Sequence, residues 1–265
     1  MPAFYKMGDY NWNIGLDEIE SDDINLKSFE VRDELNPYIW HGNKIDSEVR
    51  VKLLEIAEDF FDALTIRWVK PLDVVITGSL ANYNWSKYSD IDLHIVLNYD
   101  DVYEKTEFVE DYFKTKRDMW ASTHEDLKIY GFPVEVYVED AKNGSKSSGI
   151  YSLISNEWLA EPEDMNDSGL NKSYIREKSA EVINKIDEIE EKLSSDIDDD
   201  QMNKLSEKAY RIFEELKELR KKGLESSGQE MSNGNIIWKV IRRAGYIDKL
   251  WDIIDSTYDK INSIY

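Results

Sequence analysis

The chain has 265 residues, 55 acidic against 33 basic, a formal net charge of −22 and no cysteine. The missing thiols exclude disulfides, thiolate metal sites and cysteine nucleophiles. The charge repels polyanions at long range, so nucleic-acid binding would need a local basic patch. The opening MPAFYKMGDYNWNIGLDEIE lacks the basic start and apolar run of a signal peptide, and no stretch is apolar for the width of a bilayer. The expectation is a cytoplasmic protein that makes no membrane contact, of a length that suits two modest domains.

Residues 1–45 show no sustained period, and LNPYIWHGN within them predicts an irregular arm, anchored by Tyr38 and Trp40, that packs on the domain following it. From Asp46 the pattern becomes helical. Asp46 or Ser47 can cap the helix, Glu48 complements its positive end, and Leu53, Ala57, Phe60 and Leu64 recur on one face until Pro71 approaches. Leu72 to Thr77 is a short apolar, β-branched run, the pattern of a buried strand, and it feeds a Gly78-Ser79 turn. Asp90 to Leu97 alternates strictly, which predicts a second strand. A mixed helix is expected from Asp101 to about Ser122, with Val102, Phe108, Phe113 and Met119 facing the core, and FPVEVYVED reads as a third strand.

These elements predict an α+β domain over 46–160, built from a mixed sheet with flanking helices. The polar, Pro- and Gly-punctuated LAEPEDMNDSGLN places a linker over 161–172. Beyond it, over 173–265, the period is helical throughout. Val182, Ile186, Ile189 and Leu193 form one stripe; Met202, Leu205, Ala209, Ile212, Leu216 and Leu219 form a second; Ile247, Leu250 or Trp251, Ile254, Tyr258 and Ile261 form a third. A bundle of three to four helices follows.

The stretch ITGSLANYNWSKYSDIDLHIV carries the chemistry. On a strand, residues two apart share a face, so Asp90, Asp92 and His94 look one way while Ile91, Leu93 and Ile95 look into the core. Two carboxylates whose Cα atoms are about 7 Å apart can converge on one hard cation, which also relieves their repulsion. Gly78 lets the backbone approach a phosphate, and Ser79 adds a hydroxyl and an exposed N–H. A metal-bound triphosphate fits between the two halves. Taken singly, an Asp-x-Asp is usually an exposed strand face and a Gly-Ser a turn; the joined spacing and strand context favour the functional reading.

The joined pattern G-S-x-A and S-D-I-D-L, here Gly78, Ser79, Ala81, Ser89, Asp90, Ile91, Asp92 and Leu93, resembles the signature of the DNA polymerase β-like nucleotidyltransferase superfamily. LNPYIW and RRAGYIDKL further resemble nucleotidyltransferases encoded by tailed bacteriophages, which would place the protein in a host cytoplasm. Tyr83 departs from the pattern, since many minimal members carry Gly there. The resemblance implies transfer of a nucleoside monophosphate from an NTP, ATP being the expected one, to an acceptor hydroxyl, with release of pyrophosphate and two ions of Mg²⁺ or Mn²⁺. It implies Asp90 and Asp92 as metal ligands, a third carboxylate as ligand and base, for which Glu135 in PVEVYV fits, and Gly78, Ser79 and Ser89 at the nucleotide. Glu139 and Asp140, at the end of the same strand, are expected to be solvated. Lys87 is a further nucleotide candidate, although a loop lysine is ordinarily just solvated. His94 stays off the metal set because hard Mg²⁺ prefers oxygen.

The acceptor is open. None of His41, His94 and His124 lies in the bundle, so the ribonuclease chemistry of some helical partner domains is unsupported. A small molecule or a protein hydroxyl is slightly favoured; an RNA 3′ end would need Lys239, Arg242 and Arg243, which share a helix face that otherwise reads as solvated. The competing class is a catalytically silent nucleotide-binding or regulatory module on the same fold.

Overall fold

The computed structural model describes residues 19–144, 147–163, 169–226 and 228–264. The expected start of the arm, residues 1–18, and the middle of the expected linker, residues 164–168, lie outside the described residues. Of those described, residues 28–163 form one compact unit and residues 19–27 with 169–264 form another. No helix among them is long and apolar enough to cross a membrane.

The first unit is a mixed sheet with flanking helices. A short ribbon, β1 (Trp40–His41) and β2 (Lys44–Ile45), precedes helix α1 (Ser47–Ala63). Asp46 caps α1 as expected: its carboxylate accepts from the N–H groups of Val49 at 3.0 Å and Glu48 at 2.9 Å, and these bonds, Val49 first, hold it below the ordinary carboxylate range. Val49, Leu53, Ala57 and Phe60 are buried along one stripe of the helix. Strands β3 (Asp73–Thr77), β4 (Ile91–Leu97), β5 (Lys128–Ile129), β6 (Phe132–Asp140), β7 (Ile150–Ser152) and β8 (Glu157–Ala160) make a six-stranded sheet in the order β5-β6-β4-β3-β7-β8. β4 and β6 run parallel; the other pairs are antiparallel. Ile91, Leu93 and Ile95 alternate into the core beside Val134 and Val136, where α1 also packs.

The expected helix from Asp101 is broken at residues 103–105 into α2 (Tyr99–Val102) and α3 (Thr106–Thr123). Phe113 is buried as expected, against Tyr99, and Val109 is buried in place of Phe108. Phe108 and Met119, expected inside, are 63% and 60% exposed. In the arm, Trp40 is buried as expected, whereas Tyr38 is exposed beside Tyr130.

The second unit is helical: α4 (Lys172–Leu193), α5 (Asp199–Glu225), α6 (Asn233–Arg243) and α7 (Tyr246–Asn262). The stripes of α4 and α5 bury Val182, Ile186 and Ile189, and Ala209, Ile212 and Leu216, as their spacing predicts. In α7, Ile247 and Leu250 are buried as expected, beside Tyr246; beyond them the buried residues are Ile253 and Thr257, one residue out of step with the expected Ile254 and Tyr258. Helices α5 and α6 meet closely because Gly234 lies on the Leu219 carbonyl and Gly223 on Ser232, where any Cβ would overlap. The expected arm is divided: residues 28–45 sit in the sheet unit, while Ile24 and Leu26 are buried in the helical one, where the Ile19 N–H donates to Asn184 and Arg176 donates to the Ile24 carbonyl.

Candidate active site

The site is assembled by register. Antiparallel pairing sets Thr77 opposite Asp92, so Gly78 emerges from β3 directly beside that carboxylate. Parallel pairing sets Asp92 opposite Glu135 and His94 opposite Tyr137. Neighbouring strands lie about 4.8 Å apart, so the two carboxylates start from adjacent positions on one face while Leu93 and Val136 fill the other. Asp90 precedes β4 by one residue, and Asp90, Asp92 and Glu135 are all half-buried.

Gly78 has φ 72° and ψ −162°, a conformation that only glycine adopts without strain. A Cβ there would fall on the Asp92 carboxylate. The glycine therefore serves both a positive φ and the close approach of a charged side chain to the backbone. Ser79, Leu80 and Ala81 continue as one turn of 3₁₀ helix. The Ser79 hydroxyl donates to Ser89 Oγ at 2.8 Å, and Ser89 Oγ also accepts the Ser86 N–H at 3.0 Å. Ser89 is buried and braces Ser79 from behind. Lys87 is exposed, with its ammonium 4.7 Å from the Tyr88 ring centroid.

Apart from Trp40, an expected anchor of the arm, the residues that hold this turn were not singled out from the sequence. Asn82 is buried, donates to the Gly78 carbonyl at 2.7 Å and accepts the Ser148 hydroxyl at 2.6 Å. Gly149 packs on the Ala81 carbonyl, where a Cβ would overlap. The arm contributes three clasps: Trp40 Nε1 donates to the Leu80 carbonyl at 2.7 Å, the Arg32 N–H to the Tyr83 carbonyl at 2.7 Å, and Trp85 Nε1 to the Glu34 carbonyl at 2.8 Å. The signal available in sequence was the concentration of Trp and Asn around a Gly-Ser turn.

Tyr137 was also missed. Its hydroxyl donates to Glu135 Oε2, its ring stacks on His94 at 5.0 Å, and the Arg117 guanidinium carbon lies 5.3 Å from its centroid. Loss of solvent first, then the charges of Glu135, Asp92 and Asp90, push the phenol well above its ordinary value, so all three carboxylates act on one hydroxyl. Glu139 and Asp140 are not the solvated strand end that was expected. Asp140 is buried and accepts the Tyr99 and Lys142 N–H groups at 3.4 and 3.3 Å, capping the turn after the strands. Glu139 Oε2 stands 3.0 Å from His94 Nδ1 without a hydrogen-bonding alignment.

Three carboxylates on one face are a hard-oxygen donor set, suited to Mg²⁺ or Mn²⁺ and not to soft metals. Among the described residues no three His, Asp or Glu side chains are drawn together in a metal-holding arrangement. Like charges on adjacent positions repel, and Glu135 turns one oxygen to Tyr137, so the donors fit such an ion in chemistry and strand placement without being closed around it. The basic trio of the helical unit is less available than its spacing suggested: Lys239 is 18% exposed and paired with Glu230, while Arg242 and Arg243 are half-buried.

Comparison with known proteins follows the same line as the geometry. No relative among curated proteins matches the chain. Among solved structures, a STING-associated CdnE c-di-GMP synthase from Capnocytophaga granulosa aligns over 82% of this chain and 84% of its own at 17% identity, with a TM-score of 0.22, too low to support a shared arrangement. Residues 52–156 match the family model described as Nucleotidyltransferase domain, a span from within α1 to the end of the β7–β8 turn that contains Gly78, Ser79, Asp90, Asp92 and Glu135, so it is to NTP-utilising transferases that the sheet unit is similar.

Proposed function

We propose that the chain transfers a nucleoside monophosphate from an NTP, ATP first among them, to an acceptor hydroxyl. The acceptor oxygen bonds to the α-phosphorus, the bond from that phosphorus to the oxygen bridging to the β-phosphate breaks, pyrophosphate leaves, and the hydroxyl proton passes to the Glu135 carboxylate. The supporting observation is the register that sets Asp92 opposite Glu135 beside a glycine turn, inside the matched segment. Residues 46–160 are then the catalytic domain and residues 173–265 a helical domain, with the linker over 161–172 between them in the chain.

Gly78 offers backbone to the triphosphate without a Cβ in the way, and the Ser79 hydroxyl can exchange its bond to Ser89 for one to a phosphate oxygen. Asp90, Asp92 and Glu135 would hold two divalent ions, which when bound supply positive charge to the triphosphate and to the acceptor oxygen. Lys87, exposed in the loop between that turn and β4, can add a point charge. For the acceptor we favour a small molecule or protein hydroxyl over an RNA 3′ end, because Lys239, one of the three cations an RNA would use, is committed to Glu230. On this reading the enzyme works in the cytoplasm, that of a host cell if the gene is a phage's.

The test is label transfer from ATP in total cell extract with Mg²⁺, resolving RNA, protein and small molecules. Wild type should label one class, and Asp92→Asn should lower the rate by about 10³-fold or more with an unchanged melting temperature. Equal labelling by the variant would remove the carboxylate mechanism. NTP binding with no pyrophosphate released in any extract would leave a silent binding module instead.

A further inference from the structure

We propose that Tyr137 is a positioning residue for Glu135, an inference that rests on the carboxylate site proposed above. Residues two apart on β6 share a face, so the phenol and the carboxylate are side by side on the sheet, and the hydroxyl donates to Glu135 Oε2. The donor is fixed in its turn. The Tyr137 ring stacks on His94, its register partner, with an interplanar angle of 25°, and the Arg117 guanidinium lies over it from α3. Arg117 is in turn bound to Asp118 at 2.7 Å, so the guanidinium over the ring is itself held.

A phenol so held removes rotamer freedom from Glu135. One carboxylate oxygen, Oε2, is engaged by the hydroxyl, which fixes the plane of the carboxylate that would meet a divalent ion and the acceptor proton. Without the bond, Glu135 is a flexible side chain beside the charges of Asp92 and Asp90, and repulsion turns it away from them. The phenol's own proton is not part of the reaction; it stays in the bond to Glu135. Bonds of this kind to a ligating carboxylate typically govern metal affinity by about 10- to 100-fold.

The experiment is Mn²⁺ binding, followed by the electron paramagnetic resonance of free Mn²⁺, with a non-hydrolysable ATP analogue present. Tyr137→Phe keeps the ring and its contacts with His94 and Arg117, so the melting temperature should hold while Mn²⁺ affinity falls by about tenfold or more. In a Glu135→Gln background the same substitution should change affinity by less than about twofold, because a double-mutant cycle removes any effect that does not pass through Glu135. An unchanged affinity in Tyr137→Phe, an equal loss in both backgrounds, or a wild type that takes up no Mn²⁺ overturns the proposal. Label transfer by wild type, measured alongside, separates the two readings. Transfer with an affinity indifferent to Tyr137→Phe sinks the positioning role alone, and coupled Mn²⁺ binding without transfer sinks the reaction alone.

Discussion

Both units bring glycine and carboxylate to crowded places, and they use them in opposite ways. In the helical unit, Gly234 and Gly223 let helix backbone meet helix backbone, and the acidic side chains find cations or donors within reach: Glu230 takes Lys239 and Asn235, Asp187 takes Lys249 and Tyr246, and Glu190 takes Lys249. In the sheet unit, Gly78 lets backbone meet a charge, and strand register sets Asp92 next to Glu135. The first arrangement lowers the energy of the fold. The second holds like charges close together, which stability alone does not favour, and it is there that we propose the reaction is carried.

The sharpest way to break this contrast is at Gly78. Gly78→Ala adds strain at a positive φ and pushes a methyl into Asp92; we expect transfer to fall by about 100-fold and stability by about 1–3 kcal/mol, measured by label transfer and by denaturant melts. Retained activity would show that the glycine approach is only packing. In the helical unit the corresponding change is Lys239→Met, which leaves the Glu230 charge without its ammonium. Glu230 is partly solvated and still takes Asn235, so the loss should lie between exposed and buried pairs, about 1–2 kcal/mol, with the transfer rate per folded molecule unchanged. A loss of transfer would bring the basic face back into the reaction.

The smallest expected effect is a pH dependence. Burial raises the Glu230 carboxyl, but Lys239, Arg220 and Asn235 outweigh it, and the net shift is downward from 4.5. A depressed folded value means the unfolded chain takes up the proton first as pH falls. The pair's stabilisation is therefore present above about pH 4.5 and is lost as pH falls through the lower folded value. Acid titration of wild type and Lys239→Met, followed by helical circular dichroism, should show a shallower decline in the variant below that pH, because the variant has less to lose.

The strands that build the site were legible because alternation is a strong local signal: Asp90 to Leu97 and PVEVYV each declare a face, and the carboxylates lie on the polar one. Phase was harder. The break at residues 103–105 re-seats α3 by one residue, and Phe108, large and apolar, reads as core until Val109 is seen in its place. Strands of two to four residues, such as β5, β7 and β8, are too short to show any period. Tyr137 and Asn82 act through polar atoms, on partners fixed by register or by distant segments, and hydropathy carries no trace of that.

The parallel pairing of β4 with β6 also governs when the site can exist. Antiparallel β3 and β4 are close in sequence, so Gly78 and Asp92 can meet early, through a short loop. Asp92 and Glu135 cannot: α2, α3 and β5 all lie between them, and that crossover must be ordered before the two strands align. Closing so long a connection is entropically costly, and its return comes only when the apolar sides of β4 and β6 seal against the core. During synthesis Asp90 and Asp92 thus emerge well before Glu135. A chain truncated or stalled before β6 would own the glycine turn and two aspartates and still lack the third carboxylate of the proposed centre.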